Sequence, residues 1–265
     1  MPPLDVKKTM NELTEMYKTS PKIQKTNFLL YSGMGAGKTT MAAETSRGPV
    51  LIHSFDPGGT LSINPELIKS GKVLVDTRYE EEDPKSPKAF EKWDKEFDRL
   101  YKGGFFNSIG TFILDSGTTW SSAAMNVVLK KAGRTGGTPQ QNDWMPQMLL
   151  IENALKVITS LPCDVIFICH EKADKDEVTG KIHAAPLLTG KLTIRIPLLF
   201  DEIYHLAAKE TSKGTEFSVQ TQPCSTFMAR TRMGRRGTLE KFETPDIKYL
   251  LKKCERNTND VEGGD

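Results

Sequence analysis

Residues 32–40 read SGMGAGKTT; they follow the apolar run NFLLY at 27–31 and precede MAAE at 41–44. Glycine at three of these positions allows backbone conformations that other side chains would block, so the loop can turn its N–H groups inward around phosphate oxygens. Such a cradle is typical between a strand and a helix. The stretch therefore predicts an α/β fold that begins with a strand, a phosphate-binding loop and a helix.

The phosphate-loop motif has Gly, four free positions, Gly-Lys and then Ser or Thr. Gly37, Lys38 and Thr39 match it, and the small residue Ser32 takes the first glycine position. We expect Lys38 to reach the β and γ phosphate oxygens and Thr39 to bind Mg²⁺, with the positive end of the helix facing the phosphates. A glycine-rich turn with a coincidental match is the alternative, which the flanking strand and helix disfavour. The predicted nucleotide-binding residues are Ser32, Gly33, Met34, Gly35, Ala36, Gly37, Lys38, Thr39 and Thr40.

Further short apolar runs alternate with helical stretches, which is typical of a parallel sheet covered by helices. After residue 190 the runs become short and alternating, which indicates antiparallel strands. We therefore predict a mostly parallel central sheet flanked by helices, with a C-terminal antiparallel β meander. The first set of runs is PVLIH (49–53), KVLVD (72–76), TFILD (111–115) and DVIFICH (164–170); the second is DEIYHLAA (201–208), TEFSVQTQ (215–222) and TFMARTR (226–232).

The length of 265 residues suits one elaborated α/β domain. Val6, Met10, Leu13 and Tyr17 are at helical spacing. We therefore expect residues 1–24 to form an amphipathic helix followed by a linker, and the apolar face of the helix needs a packing partner. The core domain is expected at 25–253. The final segment, 254–265, has little to bury and is expected to be a disordered tail.

Composition excludes several classes of protein. Lys plus Arg total 36 and Asp plus Glu 34, a net charge of +2, so the whole chain does not favour nucleic acid and any such contact must be local. The four cysteines show no CxxC spacing, which indicates reduced thiols without a zinc site. No apolar run approaches the ~20 residues that span a bilayer. We expect a cytoplasmic protein without a membrane partner.

Asp115 ends the apolar run TFILD, and Ser116 and Gly117 follow it. Its carboxylate should emerge at the carboxyl edge of the sheet, where ligands of open α/β sheets bind. We predict that Asp115 coordinates the metal directly or through water. An Asp that caps a helix beginning near Thr118 is a compatible alternative.

Two more polar residues follow strands that end at the same edge. Asp56 lies just beyond the second strand, and it is the candidate base or orienting group for water. Its Asp-Pro-Gly-Gly setting is equally typical of a turn. His170 ends the run DVIFICH and is a candidate sensor of the γ-phosphate, although a structural hydrogen-bonding role is the alternative.

On these motifs the chain resembles the RecA-type AAA domain ATPases of bacteriophages, which include single-strand annealing proteins similar to the RecA and RadA recombinase core. The resemblance implies a RecA-like fold, ATP or dATP with Mg²⁺, water activation by the acid at Asp56, and a polar sensor at His170. Pro57 beside this acid departs from the spacing usual in RecA-like proteins. The stretches that carry the resemblance are LLYSGMGAGKTT (29–40), TFILDSGTTW (111–120), NDWMPQMLLIENALKVITSLPCDVIFICHE (142–171), PLLTGKLTIRIPLLFDEIYHL (186–206) and ARTRMG (229–234).

The resemblance also implies two loops that bind single-stranded DNA, at 132–143 and 171–189. Arg134 in the first loop suits contact with the phosphate backbone without base reading. The second loop offers Lys172, Lys175 and Lys181, but its acidic residues roughly cancel their charge, so a solvated hairpin is the alternative.

Four arginines at 230, 232, 235 and 236 form the densest basic run. The resemblance suggests that Arg230 or Arg232 reaches the γ-phosphate bound by a neighbouring subunit. Arg235 and Arg236 offer phosphate-backbone contacts as an alternative.

Two functions follow from these expectations. The first is an oligomeric ATPase, a ring or filament, whose DNA-stimulated hydrolysis supports annealing, recombination or replication of phage DNA, with phage recombination or replication proteins as further partners. The second is a nucleotide-gated assembly or recruitment protein with weak hydrolysis. A small-molecule kinase is disfavoured because the sequence shows no Arg-rich lid.

Overall fold

The computed structural model describes residues 5–18, 25–177, 180–235 and 237–261. Across these residues the strands form one sheet in the order β3-β2-β4-β5-β1-β7-β8-β9, with β6 paired to β5. Strands β1 to β5 and β7 pair in parallel, whereas β6, β8 and β9 pair antiparallel with their neighbours. The strands are β1 (Asn27–Ser32), β2 (Val50–Ser54), β3 (Val73–Asp76), β4 (Thr111–Asp115), β5 (Asp164–Lys175), β6 (Ile182–Pro186), β7 (Glu202–Thr211), β8 (Gly214–Gln220) and β9 (Phe242–Glu243).

Helices cover both faces of this sheet, and the central strands are therefore buried on both sides. Along β1, Leu29 and Tyr31 join the core on one face, and Phe28 and Leu30 join the core on the other. The first core contains residues of α4, α5 and α6, and the second contains residues of α2 and α8. The helices are α1 (Val6–Lys18), α2 (Lys38–Thr45), α3 (Pro65–Lys69), α4 (Ala89–Lys102), α5 (Gly117–Lys131), α6 (Trp144–Ile158), α7 (Leu192–Arg195) and α8 (Ile247–Lys253).

The parallel register brings four strand ends to one edge of the sheet. Ser54 pairs with Asp115 across β2 and β4, and Ser32 pairs with His170 across β1 and β5. Strand β5 lies between β1 and β4, and it continues past this edge into a hairpin with β6. We call this side of the sheet, where β1, β2, β4 and β7 run towards their carboxyl ends, the carboxyl edge.

The predicted fold class is confirmed, and the C-terminal strands β7 and β8 form an antiparallel pair. The strand predicted at 226–232 is wrong: within the described residues this segment makes isolated bridges only, between Ile203 and Arg230 and between Ala184 and Phe227. The backbone N–H groups of Arg232 and Met233 donate to the Glu202 carboxylate instead of to a neighbouring strand.

Both ends of the described chain differ from the prediction: the N-terminal helix is less buried than expected, and the C-terminal segment packs more closely than expected. Helix α1 forms as predicted, but none of its residues is buried, so the partner expected for its apolar face is not found within the described residues. Residues 254–261 of the expected tail pack against the domain: Asp260 accepts from the backbone N–H of Gly48 at 2.7 Å, and Val261 donates to its carbonyl at 2.8 Å. Residues 1–4, 19–24 and 262–265 lie outside the described residues. No helix among the described residues is long and apolar enough to cross a membrane.

Candidate active site

The phosphate loop joins β1 to α2 at the carboxyl edge. Gly35 and Gly37 have φ values of 76° and 83°, the left-handed region in which a side chain is strained, so glycine is needed at both positions. The same need predicted for Gly33 is wrong, because its φ lies outside that region and a Cβ there would meet no atom within 4 Å. Met34 is 91% exposed at the tip of the loop.

Lys38, the first residue of α2, folds back over the loop. Its Nζ donates to the carbonyl of Gly33 at 2.9 Å and to the carbonyl and hydroxyl oxygens of Ser32 at 3.1 Å. Burial lowers the pKa of Lys38, and the nearby Asp115 and Asp56 oppose this shift. The ammonium is thus held among neutral oxygens, with two carboxylates near it.

Thr39 and Asp115 meet as predicted for a metal pair. The Thr39 hydroxyl donates to Oδ2 of Asp115 at 2.5 Å. Burial raises the pKa of Asp115 to about 6, and the neighbouring Asp56 adds to the rise. Mg²⁺ is usually held by one or two protein oxygens together with water and phosphate oxygens, so this hydroxyl and carboxylate fit it. The described residues hold no cluster of three or more His, Cys, Asp or Glu side chains for a metal held by protein alone.

Ser116, and not Asp115, caps helix α5. Its hydroxyl accepts from the backbone N–H of Thr119 at 3.3 Å. The alternative of Asp115 as a helix cap is therefore wrong, and this carboxylate stays directed towards Thr39.

Asp56 and His170 also meet, at 2.8 Å between Oδ2 and Nε2. The other oxygen of Asp56 accepts from the hydroxyls of Ser116, at 2.8 Å, and Thr119. Burial acts to raise the pKa of Asp56, but hydrogen bonds from His170, Thr119 and Ser116 outweigh it and lower the pKa. Asp56 is therefore ionised at neutral pH and already accepts from three side chains.

The backbone of Asp56 forms a turn, and its side chain faces a different direction. The backbone N–H of Gly59 donates to the Asp56 carbonyl at 2.9 Å, which closes the turn, and Gly58 has a φ of 69°. The Asp56 side chain points away from this turn towards His170.

A second carboxylate–histidine pair lies beside the first and was missed from the sequence. Nε2 of His205, on β7, lies 2.6 Å from Oε2 of Glu171, the residue after His170. The ring of His205 stacks on Phe227 with 3.8 Å between ring centroids. No signal in the sequence pointed to this pair, because it depends on the pairing of β7 with β1, which places His205 opposite Tyr31.

A cavity of ≈ 410 Å³ gathers the loop residues Met34 to Thr40 together with Asp56, Asp115 and His170. A larger cavity of ≈ 1320 Å³ lies elsewhere, under the charged segment 77–88 and helix α4. Among its charged side chains, Arg78 and Arg99 both pair with Glu96, at 3.0 and 2.7 Å. The smaller cavity is therefore the one lined by the residues predicted to bind the nucleotide, the metal and the attacking water.

The residues predicted to contact DNA are engaged in internal pairs or lie on a hairpin. Arg134 forms an ion pair with the buried Asp143 at 2.5 Å and closes its own loop. Within the segment 171–189, residues 171–175 of β5 pair with 182–186 of β6 as a hairpin, which agrees with the alternative given for this segment; DNA binding by it stays a prediction. It bears Lys175 and Lys181, and Lys172 on it pairs with Asp174 at 2.8 Å.

The two candidate trans-acting arginines lie beside the start of β7, at the amino edge of the sheet. Arg230 donates to the carbonyls of Pro197, at 2.8 Å, and Phe200. The side chain of Arg232 is 49% exposed and lies 3.8 Å from Asp201. Of the two, Arg232 is therefore the one that can project from the surface. Arg235 is exposed, and Arg236 lies outside the described residues.

A phosphate loop on β1, an acid on β4 beside the loop threonine, and one strand between them define a P-loop NTPase. A protein-family profile described as "AAA domain" matches residues 24–233, and the chain belongs to that family. The AAA domain predicted from the sequence is confirmed at the level of this family.

Solved structures with a similar fold have low identity. A KaiC-like protein from the archaeon Pyrococcus horikoshii is 14% identical, with a TM-score of 0.40, over 74% of this chain and 77% of that one. The flagellar accessory protein FlaH from Methanocaldococcus jannaschii is 12% identical, with a TM-score of 0.43, over 82% and 83%. An ATPase of the type III secretion system of pathogenic bacteria is 16% identical, with a TM-score of 0.43, over 69% and 51%. No curated protein sequence matches the chain.

Proposed function

We propose that the protein is a bacteriophage RecA-like ATPase that binds Mg²⁺ with ATP or dATP, assembles into a homo-oligomer and acts on single-stranded DNA in annealing, recombination or replication. The observation that carries the proposal is the convergence of Lys38, Thr39, Asp115, Asp56 and His170 around one cavity at the carboxyl edge. Each has the chemistry that phosphoryl transfer to water requires.

The site supplies separate groups for the two ends of the reaction. Lys38 and the loop N–H groups bind the phosphate oxygens, and Thr39 and Asp115 would hold Mg²⁺, which neutralises charge on the phosphates. Asp56 orients the attacking water or accepts its proton, and His170 holds Asp56 in place.

Support for DNA binding comes from the resemblance of the motifs and from the position of the hairpin. Strand β5 continues from His170 directly into the hairpin that bears Lys172, Lys175 and Lys181. His170 and these lysines therefore lie on one continuous strand and its hairpin. Arg232 is the residue proposed to reach a nucleotide held by a neighbouring subunit.

A second function, a nucleotide-gated assembly or recruitment protein with weak hydrolysis, is favoured by a different observation. Asp56 already accepts from His170, Ser116 and Thr119, so about one of the four acceptor sites of its carboxylate, on Oδ2, is left for water. Arg134, proposed for DNA, is likewise occupied by Asp143.

The two functions are separated by ATP hydrolysis measured with and without single-stranded DNA, alongside DNA binding across a range of salt. Stimulation by DNA and a steep salt dependence support the first function, because phosphate contacts release counterions. Nucleotide-dependent oligomers without DNA binding support the second. Asp56→Asn, in which a neutral amide replaces the carboxylate, serves as the hydrolysis-deficient control.

A further inference from the structure

Strand β5 leaves the central sheet at His170 and Glu171. Its last backbone pairing with β4 is at Ile168, and its last pairing with β1 is at His170, opposite Ser32. From Glu171 onwards β6 is the only strand, among the described residues, with which β5 pairs. The backbone ladder of the central sheet ends at His170, so the position of this end of β5 depends on other contacts.

Two carboxylate–histidine pairs hold this end of β5. Nε2 of His170 lies 2.8 Å from Asp56, and Glu171 lies 2.6 Å from Nε2 of His205 on β7. Successive side chains of a strand point to opposite faces of the sheet. The two pairs therefore hold consecutive residues of β5 from opposite faces, and only the first of them includes residues that line the phosphate cavity.

The Glu171–His205 pair reaches across β1. Strand β1 lies between β5 and β7, and His205 is opposite Tyr31, the residue before the phosphate loop. A hydrogen bond between side chains of β5 and β7 must therefore pass over the end of β1, at the start of the loop. Neither Glu171 nor His205 lines the cavity that holds the loop, so the pair acts beside the reacting groups and not on them.

The ring of His205 is fixed by its own surroundings. It stacks on Phe227, with 3.8 Å between ring centroids, and lies edge-on to Tyr31, with 5.2 Å between centroids. The side chain of His205 is 7% exposed and that of Glu171 is 20% exposed. Because a carboxylate only accepts hydrogen bonds, Nε2 of His205 donates to Glu171. A fixed donor that bonds an ionised acceptor gives Glu171 a defined position.

We propose that Glu171 and His205 are positioning residues for ATP hydrolysis, and that their hydrogen bond holds the end of β5 so that His170 meets Asp56. This inference rests on the proposed ATPase function and adds two residues that touch neither the phosphate cavity nor the metal pair. A displacement of about 1 Å in a positioned group can lower a rate about 100-fold. Loss of the pair should therefore slow hydrolysis, whereas nucleotide binding, which depends on Lys38 and the loop, should be retained.

The test measures kcat for ATP hydrolysis together with the Kd for MgATP by calorimetry. Glu171→Ala and His205→Phe each remove the hydrogen bond, and the second keeps a ring that can stack on Phe227. Each is expected to lower kcat about 10–100-fold and to leave Kd near the wild-type value. Glu171→Gln keeps an acceptor for the His205 N–H and is expected to recover most of kcat. The matched control on the same strand, Asp174→Ala, breaks an exposed pair with Lys172 and should change neither quantity.

A second comparison separates positioning of His170 from other effects. In a His170→Ala background, Glu171→Ala is expected to lower kcat no further, because the side chain that it positions is gone. Additive losses would show that Glu171 acts elsewhere. Equal values of kcat in Glu171→Gln and Glu171→Ala would show that the charge of Glu171 matters instead, since this charge lies within electrostatic reach of Lys38.

The outcomes distinguish this inference from the function on which it rests. Wild-type kcat in both Glu171→Ala and His205→Phe would overturn the inference alone. A wild-type protein that does not hydrolyse ATP would refute the proposed ATPase and this inference with it. Circular dichroism checks that each variant is folded; if Glu171→Ala does not fold, His205→Phe and Glu171→Gln decide, and equal kcat in these two would overturn the inference.

Discussion

The two edges of the central sheet both contain charged side chains, but they use them differently. At the amino edge, Arg47 pairs with Asp164 at 2.7 Å, and both side chains are buried. Nearby, Lys25 donates to the carbonyls of Thr159, at 2.8 Å, and Leu161. The charges of Arg47 and Asp164 neutralise each other, and Lys25 ties the turn after α6 to the start of β1.

At the carboxyl edge Lys38 donates to neutral oxygens, and among the described residues no carboxylate lies within 4.0 Å of its Nζ. Asp115 accepts from a hydroxyl, not from a cation. A charge that the fold does not neutralise is available to a ligand. We infer from this difference that the amino edge stabilises the domain, and we propose that the carboxyl edge binds an anion with its metal.

The largest expected effect is on the carboxyl edge. Asp56→Asn is expected to lower kcat for ATP hydrolysis by roughly 10²–10⁴-fold, because the amide cannot accept a proton from water. MgATP affinity should change little, because Lys38 and Thr39 remain. Steady-state kinetics and calorimetry check both, with the surface variant Asp98→Asn as control. A kcat equal to that of the wild type would remove Asp56 from the chemistry and favour another water-orienting group.

The amino edge is expected to respond in stability instead. Asp164→Ala leaves the Arg47 guanidinium buried without its partner and the backbone N–H of Thr26 without its acceptor. The free energy of unfolding should fall by about 3–5 kcal/mol. The matched control Asp98→Ala breaks an exposed pair with Lys102, for which about 0–1 kcal/mol is expected. Urea denaturation measures both; equal effects would contradict the distinction between the edges.

His53 lies in the core on β2, one residue before this strand ends at the carboxyl edge. Both its ring nitrogens are buried without a partner, and burial lowers its pKa to about 4. Because the unfolded state takes up the proton near pH 6.5 and the folded state does not, stability is full above pH 6.5 and falls as the pH drops towards 4.

This loss is expected to reach about 3 kcal/mol, and His53→Phe, which suits the neighbouring rings of Tyr79 and Phe112, should remove it. Urea melts between pH 4 and pH 7 give the measurement. His183→Gln, at an exposed position, should keep the wild-type pH dependence. If His53→Phe follows the wild-type curve, His53 is not the titrating group.

The smallest expected effect concerns the hairpin beyond the carboxyl edge. Lys175→Ala should weaken single-stranded DNA binding by a few fold and lower the slope of log affinity against log salt by about one. Lys69→Ala, on the exposed helix α3, should change neither. Mobility shifts across salt provide the test, and a slope unaffected by Lys175→Ala would place DNA elsewhere or nowhere on the protein.

Strand ends were predictable from the sequence because each strand stops where its apolar run stops. This is why Thr39, Asp115, Asp56 and His170 were expected at one edge before their contacts were known. The partners of Asp56 on α5 were not expected, since which hydroxyls face it depends on how Ser116 begins that helix.

Features that depend on distant register were missed. Glu171 meets His205 only because β5 and β7 pair with opposite sides of β1. Arg134 was predicted to contact DNA from its charge and from the loop position that the resemblance implies, and the sequence does not reveal that Asp143 pairs with it across the same loop.

The central claim is that the carboxyl edge captures a triphosphate through Lys38. Calorimetric binding of MgATP to the wild type and to Lys38→Met tests it most directly. We predict measurable affinity for the wild type and a loss of at least about tenfold in the variant, since charge-assisted hydrogen bonds to phosphate are removed. Equal affinity in the two proteins would contradict the account.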